Sequence, residues 1–355
     1  MPHLFTPVRL GRHQLAHRVV MAPMTRNRSP DALPNDLVRL YYEQRASAAL
    51  IVTEGVSPDP LGHGYVDTPG LYTDEQVAAW ARVTAAVHAK GGTIFAQLMH
   101  TGRISHPDFL GGRTPAAPSA VKPAGEAHVP SGRKPFVTPR ALEPAEILEI
   151  IASYRRAAAN AVAAGFDGIE IHGANGYLPH QFLSTNANLR TDRWGGSVEG
   201  RSRFLLAVAA ATAAVIGPHR VGVRISPAHA YNDIVEEGAE TTYAYVAERL
   251  AEMDLAYLHV LDCRPGFDVA GLIRSHYPGT LILNQGYDRA RADADIAAGR
   301  ADLVAFGVPF LANPDLPERL RGGLPLNESD PETFYSGGAR GYVDYPSLAD
   351  LAKAA

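Results

Sequence analysis

The sequence predicts a (β/α)₈ barrel, and three observations carry that expectation. Eight short apolar, β-branched runs recur along the chain, at RVVMAP, LIVTEG, TIFAQL, DGIEIH, VGVRIS, YLHVLD, LILNQG and DLVAFG. They are nearly continuous rather than alternating, as a parallel sheet covered on both faces requires. Segments of helical spacing separate most of them, and polar residues cluster just after the runs, where a barrel carries its chemistry. A doubly wound sheet is the runner-up, but no G-x-G-x-x-G follows an early strand.

Taken in order, residues 1–18 contain a possible hairpin with Gly11 near its turn, expected to plug the closed end of the barrel. Thr25 and Arg26 follow the first strand, Gly55 the second, and Gln97 and His100 the third. DEQVAAWARVTAAVHAK places Val77, Trp80, Thr84 and Val87 on one helical face, with Asp74 in the first turn and Gly91 at the end. PAEILEIIASYRRAAANAVAAG does the same with Ile147, Ile151, Tyr154, Ala158 and Val162, between Pro144 and Gly165. Residues 101–142, rich in Gly, Pro, Ser and Arg, are too long for an ordinary connection and read as an excursion over the active face. His172 ends the fourth strand, Arg224 lies in the fifth, Asn284 ends the seventh and Gly307 follows the eighth. The tail, residues 322–355, contains the aromatic stretch SGGARGYVDYPSL and is expected to fold back. Without repeats, low-complexity tracts or a linker, residues 1–355 read as one domain.

At 355 residues and 46% hydrophobic content the chain buries a large core. A formal charge of −4 and a pI near 6.4 argue against a nucleic-acid partner. One cysteine, Cys263, excludes a disulfide framework and a thiolate zinc or iron–sulfur site. The N-terminal residues lack the apolar core of a signal peptide, and FLLAVAAATAAVIG is too short for a membrane span. A soluble cytoplasmic protein is expected, with no membrane partner; monomer and homo-oligomer are equally compatible with the sequence.

The strand ends suggest a ligand. LNQGYD and AFGVPF each place a glycine, Gly286 and Gly307, right after a strand, and loops after the seventh and eighth strands of a barrel commonly hold a phosphate. Glycines that simply end strands are the bland alternative. Arg224, in an apolar strand, needs either a ligand with electron-rich atoms or an internal acid such as Glu170. Gln97 offers a donor and an acceptor in a similar layer. A polar ring system on a phosphate tail fits this set: flavin mononucleotide matches it, pyridoxal phosphate and sugar phosphates less closely. Schiff-base chemistry needs a lysine, and Lys90, Lys122, Lys134 and Lys353 end no strand. In EIHGANGYLPHQFLS, His172 and Asn175 can aim N–H groups at one oxygen, and Tyr177 can supply a proton. The alternatives are a structural histidine or a metal held by Glu170, His172 and His180, for which no further acidic pair completes a shell.

These residues resemble the old yellow enzymes, and within them the bacterial branch of N-ethylmaleimide and pentaerythritol tetranitrate reductases. RVVMAPMTRNRS, FAQLMHTGRISHP, HGANGYLPHQFLSTNANLRTDRWGGSVEGRSRF, VGVRISP and FGVPFLANPDL follow the family pattern in order over nearly the whole chain. The resemblance implies a single barrel holding FMN non-covalently, with NADPH or NADH as hydride donor and an electron-poor alkene (enone, maleimide or nitroalkene) or a nitro compound as small-molecule substrate. It implies that Pro23, Met24, Thr25, Gly55, Gln97, His172, Arg224, Asn284, Gln285, Gly286, Gly307 and Val308 contact the FMN. His172 and Asn175 would grip the substrate oxygen, Tyr177 would protonate the α-carbon, and Tyr65, Met99, Tyr231 and Tyr335 would line the pocket. No metal is implied, and a lone cysteine rules out the iron–sulfur relatives.

Two positions depart from the family pattern. The arginine that usually follows the glycine of the eighth strand is Val308 here, which implies weaker FMN retention or a substitute cation from elsewhere. The usual aromatic residue before His100 is Met99, which implies a roomier, more adaptable pocket that tolerates bulky substrates. The expected activity is that of an FMN-dependent ene-reductase; the competing readings are a nitro- or nitrate-ester reductase, a low-turnover flavin-binding protein and a phosphate-binding barrel isomerase.

Overall fold

Eight parallel strands close into a cylinder in the computed structural model, which describes residues 3–264 and 266–354. Met1 and Pro2 of the expected cap, Pro265, and Ala355 of the tail lie outside the described residues. The strands are Val19–Met21, Leu50–Val56, Ile94–Leu98, Gly168–Gly173, Val221–Ile225, Tyr257–Leu261, Leu281–Asn284 and Leu303–Phe306. Each pairs with the next in sequence, and the eighth returns to the first. They coincide with the eight apolar runs, and every residue in them is buried. Lumen and helix layer both exclude water from these strands, so their sequences are apolar on both faces.

Register places the site. Glu170 pairs with Gln97, His172 with Arg224, and Arg224 with His259. Residues opposite one another on parallel strands share a face, so these polar side chains enter the lumen in adjacent layers. The opposite end is closed by the hairpin Val8–Leu10/His13–Leu15. Its turn residue Gly11 has a φ of +53°, and Leu10 and Leu15 pack against Val20, Val52, Phe95, Tyr257 and Leu303. Chemistry is thereby confined to the other mouth.

Helix Asp74–Ala89 begins in a capping box, with Thr73 accepting from Gln76 N–H and Gln76 reaching back. It buries Trp80, Val83, Thr84 and Val87, and Val77 is half-buried. Helix Pro144–Ala163 departs from expectation. It buries Ile147, Ile150, Tyr154, Ala157, Ala158 and Ala161, while Ile151 is half-buried and Val162 exposed. This helix packs against helix Val198–Ile216 as well as against the third and fourth strands, which turns its buried stripe toward the 147/150/154/157/161 positions.

Two segments outside the strand–helix alternation cover the open mouth. In the 101–142 excursion, the hairpin Glu126–Val129/Gly132–Pro135 brings Ala127 and Val129, with Phe136, against Met99, Ile104 and Tyr177. The tail is tied down by arginines that follow the first strand. Arg26 Nε donates to Phe334 O at 2.9 Å and its Nη2 to Gly341 O at 2.7 Å. Arg28 Nη2 donates to Thr333 O at 2.8 Å, and Tyr342 stacks on Tyr41 with ring centroids 4.1 Å apart.

Glu54, buried in the second strand beside these arginines, has one carboxylate oxygen without a partner. Burial pushes its carboxyl up to about 7 against the opposing pull of Arg26 and Arg28. An acid with a raised folded-state pKa costs no stability below its unfolded value of 4.5, loses stability as pH rises from there toward 7, and carries the full loss above. Glu54→Gln should therefore match the native chain in urea melts near pH 4.5 and exceed it by about 3 kcal/mol at pH 8. A stability difference that does not change with pH would contradict this.

Candidate active site

A cavity of about 360 Å³ opens at the C-terminal mouth of the barrel. Pro23, Met24, Thr25 and Arg26 line it from the loop after the first strand, and Gln97 and Met99 from the third unit. The fourth contributes His172, Asn175 and Tyr177, the fifth Arg224, His229 and Tyr231, the seventh Asn284 and Gln285, and the eighth Val308. Phe334 and Tyr335 of the tail complete the wall. Four expected residues stand off it. Gly55 lies inside the second strand, at a register shift, where a Cβ would come 2.5 Å from Met99 Cε. Tyr65 reaches the site through Tyr177, and Gly286 and Gly307 adjoin the lining residues Gln285 and Val308.

The floor is a buried polar network. Glu170 accepts from Gln97 Nε2 and from His259 Nδ1, each at 2.8 Å. Burial pushes the Glu170 carboxyl up, but His259, the Arg224 guanidinium and the Gln97 amide outweigh it and hold the group below its usual range. Arg224 makes no direct bond to Glu170, contrary to the ion pair considered from sequence, because Gln97 and His259 already occupy the carboxylate. Instead its Nη2 donates to Asn284 Oδ1 at 2.9 Å, and Asn284 Nδ2 donates to Ala305 O at 2.7 Å. Arg224 Nε is buried without a partner. A guanidinium in this position calls for an electron-rich ligand.

The donors above it are fixed by the loop after the fourth strand. Ala174 N–H donates to His172 Nδ1 at 3.3 Å, which leaves the ring proton on Nε2. Burial, then Arg224, His180 and His259, push the imidazole well below its ordinary range, so His172 is a neutral donor at pH 7. Asn175 has a φ of +57°, a left-handed conformation that asparagine tolerates. Its N–H donates to Ser226 Oγ at 2.9 Å and its carbonyl accepts from Asn232 Nδ2 at 2.8 Å. Gly176 follows at φ +76°, where a Cβ would come 2.6 Å from Asn232 Cβ. The Tyr177 hydroxyl is 2.8 Å from that of Tyr65, and its ring stands edge-on to His172 with centroids 4.8 Å apart. Burial, with Tyr65 adding to it, pushes the Tyr177 phenol well above 10.

His180 does not join a metal centre. It accepts from Gly176 N–H at 2.9 Å and contacts Glu236 and Tyr243, away from Glu170. Among the described residues no cluster of three His, Cys, Asp or Glu is placed to hold a metal. Three supporting residues escaped the sequence reading: Ser226, Asn232 and His229. His229 Nδ1 lies 3.3 Å from Asn175 Oδ1, and its ring stacks on Tyr231. With its proton on Nδ1, His229 donates to that oxygen and leaves the Asn175 amide N–H₂ free to face the cavity. The run SPAHAYND placed it after the fifth strand, but nothing in the pattern linked it to Asn175.

A closed parallel barrel with a buried guanidinium, neutral donors beside it and glycine loops after the last two strands fits a flavin-dependent oxidoreductase, and comparison with known proteins gives the same class. A model of the NADH:flavin oxidoreductase / NADH oxidase family matches residues 3–327, and the chain belongs to that family, on the bacterial branch of the old yellow enzymes. That family is one of FMN- and nicotinamide-dependent oxidoreductases. Rice 12-oxophytodienoate reductase 1 is 41% identical over 368 residues, covering 98% of this chain and 94% of the relative. Morphinone reductase solved in complex with tetrahydroNAD superposes with a TM-score of 0.95 at 48% identity, covering 98% of each chain. The old yellow enzyme homologue of Zymomonas mobilis gives 0.95 at 40% identity, covering 98% of this chain and all of that one. No helix among the described residues is long and apolar enough to cross a membrane.

If His229 orients the Asn175 amide, His229→Leu should raise the dissociation constant of an enone or phenol about fivefold, the equivalent of one neutral hydrogen bond. FMN affinity should not change. Ligand titration of the flavin-loaded variant checks this, and unaltered ligand affinity would refute it.

Proposed function

We propose that the protein is an ene-reductase that uses NADPH or NADH to saturate electron-poor alkenes such as enones, maleimides and nitroalkenes. The convergence of His172, Asn175 and Tyr177 on one cavity above Arg224 is the observation that carries this reading. Thr25, Gln97, Arg224 and Asn284, with the Pro23 and Met24 backbone, would hold the FMN ring, and the unpaired Arg224 Nε fits its electron-rich edge. Bound FMN supplies the hydride that reaches the β-carbon of the alkene.

The remaining work falls to the protein. His172 Nε2–H and the Asn175 amide donate to the carbonyl or nitro oxygen, which draws electron density from the β-carbon and stabilises the charge that develops on the oxygen. Loss of one such donor costs about 3 kcal/mol of barrier. Neither donor is charged, so both hold the oxygen without surrendering a proton to it. Tyr177, protonated at neutral pH and held by the Tyr65 hydroxyl, gives its proton to the α-carbon. Tyr231 and Tyr335, both largely exposed, form the rim over which the substrate enters. Met99, buried over Gly55, supplies a deformable wall suited to bulky alkenes.

Tyr177→Phe should slow alkene reduction about a hundredfold, within the range general acids contribute, while reduction of the flavin by NADPH is kept. Stopped-flow measurement of the two half-reactions separates them. Equal loss in both would reject the proton-donor role.

A further inference from the structure

The loop after the seventh strand has an unusual backbone. Gln285 and Gly286 take successive positive φ values of +98° and +64°. Arg291, in helix Arg289–Ala297, reaches back to it: Nη1 donates to Gln285 O at 2.7 Å and to Gly286 O at 3.2 Å. Its guanidinium lies over the Tyr287 ring, 3.9 Å from the centroid. In a trans peptide the N–H points opposite to the C=O. Clasping these two carbonyls therefore turns the N–H groups of Gly286 and Tyr287 away from Arg291. Among the described residues neither N–H donates to a protein group. Two free N–H groups on consecutive residues of a turn are a donor pair of the kind that can take an anion.

The eighth-strand loop lies alongside, since Asn284 and Ala305 pair in register. Its first side chain is Val308, 49% exposed and on the cavity wall. It offers a phosphate no charge. Arg291 has two carboxylates in ion-pair range but neither at hydrogen-bond distance: Asp262 is 3.7 Å and Asp295 3.8 Å away, and Asp295 is shared with Arg300 Nε at 3.5 Å and the Tyr287 hydroxyl at 2.6 Å. Its side chain is partly solvent-exposed. A Cβ on Gly286 would lie 3.7 Å from Arg291 Nη1, so the positive charge sits directly at the loop.

We propose that Arg291 is the positioning residue for the phosphate of the cofactor: it sets the Gln285–Tyr287 loop so that its N–H groups face the phosphate, and it supplies the positive charge that Val308 does not. The inference rests on the assignment of FMN to this cavity. It differs from general loop stabilisation in acting on the phosphate alone. Riboflavin has the same ring system without the phosphate, so comparing the two ligands isolates the effect.

The experiment is a flavin-fluorescence titration of apoprotein with FMN and with riboflavin, for the native chain, Arg291→Gln, and Arg291→Gln combined with Val308→Arg. Arg291→Gln should weaken FMN about tenfold, the scale of removing one positive charge that lies near the phosphate without touching it, together with the set of the loop. Riboflavin should bind all three proteins within about twofold, which also reports that the ring pocket is folded, and Val308→Arg should restore most of the FMN affinity. Unchanged FMN affinity in Arg291→Gln, or equal loss of FMN and riboflavin affinity, would overturn the proposal. Failure of the native chain to bind either flavin would instead overturn the FMN assignment.

Discussion

Arg224 is the constraint from which the site is built. A guanidinium inside a closed barrel is costly unless its charge and its donors are answered. The fold answers most of the demand, with Glu170 one layer below and Asn284 on the seventh strand. It leaves Nε without a partner. Arg224 itself lines the cavity together with the neutral donors His172 and Asn175. In the proposed function, an electron-rich ring against the guanidinium and a substrate oxygen held by the neutral N–H groups would satisfy both sets together. Burial, reinforced by the same positive charge, keeps His172 neutral, so in the proposed function one residue would serve the cofactor and help tune the substrate's donor.

The peripheral segments make sense as supports for that arrangement. Arg26 and Arg28 clamp the tail carbonyls and thereby bring Phe334 and Tyr335 to the wall. Buried Arg103 spans from the excursion to the loop after the fifth strand, with Nη2 2.6 Å from Asp233 O. That loop carries Asn232, which holds the Asn175 backbone, and His229, which meets its side chain. Position 175 is thus held at its N–H, its carbonyl and its side chain by one loop more than fifty residues away in sequence.

Much of this was legible in the sequence, for a physical reason. Strands buried on both faces leave unbroken apolar runs, so all eight could be read, and polar residues at their ends stood out against them. Arg224 and Gln97 were conspicuous because charge and amide are rare in such runs. Less was legible where packing partners decide. The buried stripe of helix Pro144–Ala163 was displaced because the helix faces a neighbouring helix as well as the barrel. The partner of Arg224 was missed because Glu170 is occupied by Gln97 and His259, a competition that only the register reveals. His229 and Arg291 sit in polar, loop-rich stretches where a functional side chain looks like any solvated one. Their significance comes from what lies across from them in space.

Phenol titration of the FMN-loaded protein tests the stacked arrangement most directly. A phenolate oxygen accepted by His172 and Asn175 lays its ring on the flavin face, and a saturable long-wavelength charge-transfer band is the expected result, absent when both donors are replaced by alanine. A flavin-loaded protein whose visible spectrum ignores phenol, or a band that survives loss of both donors, would contradict it.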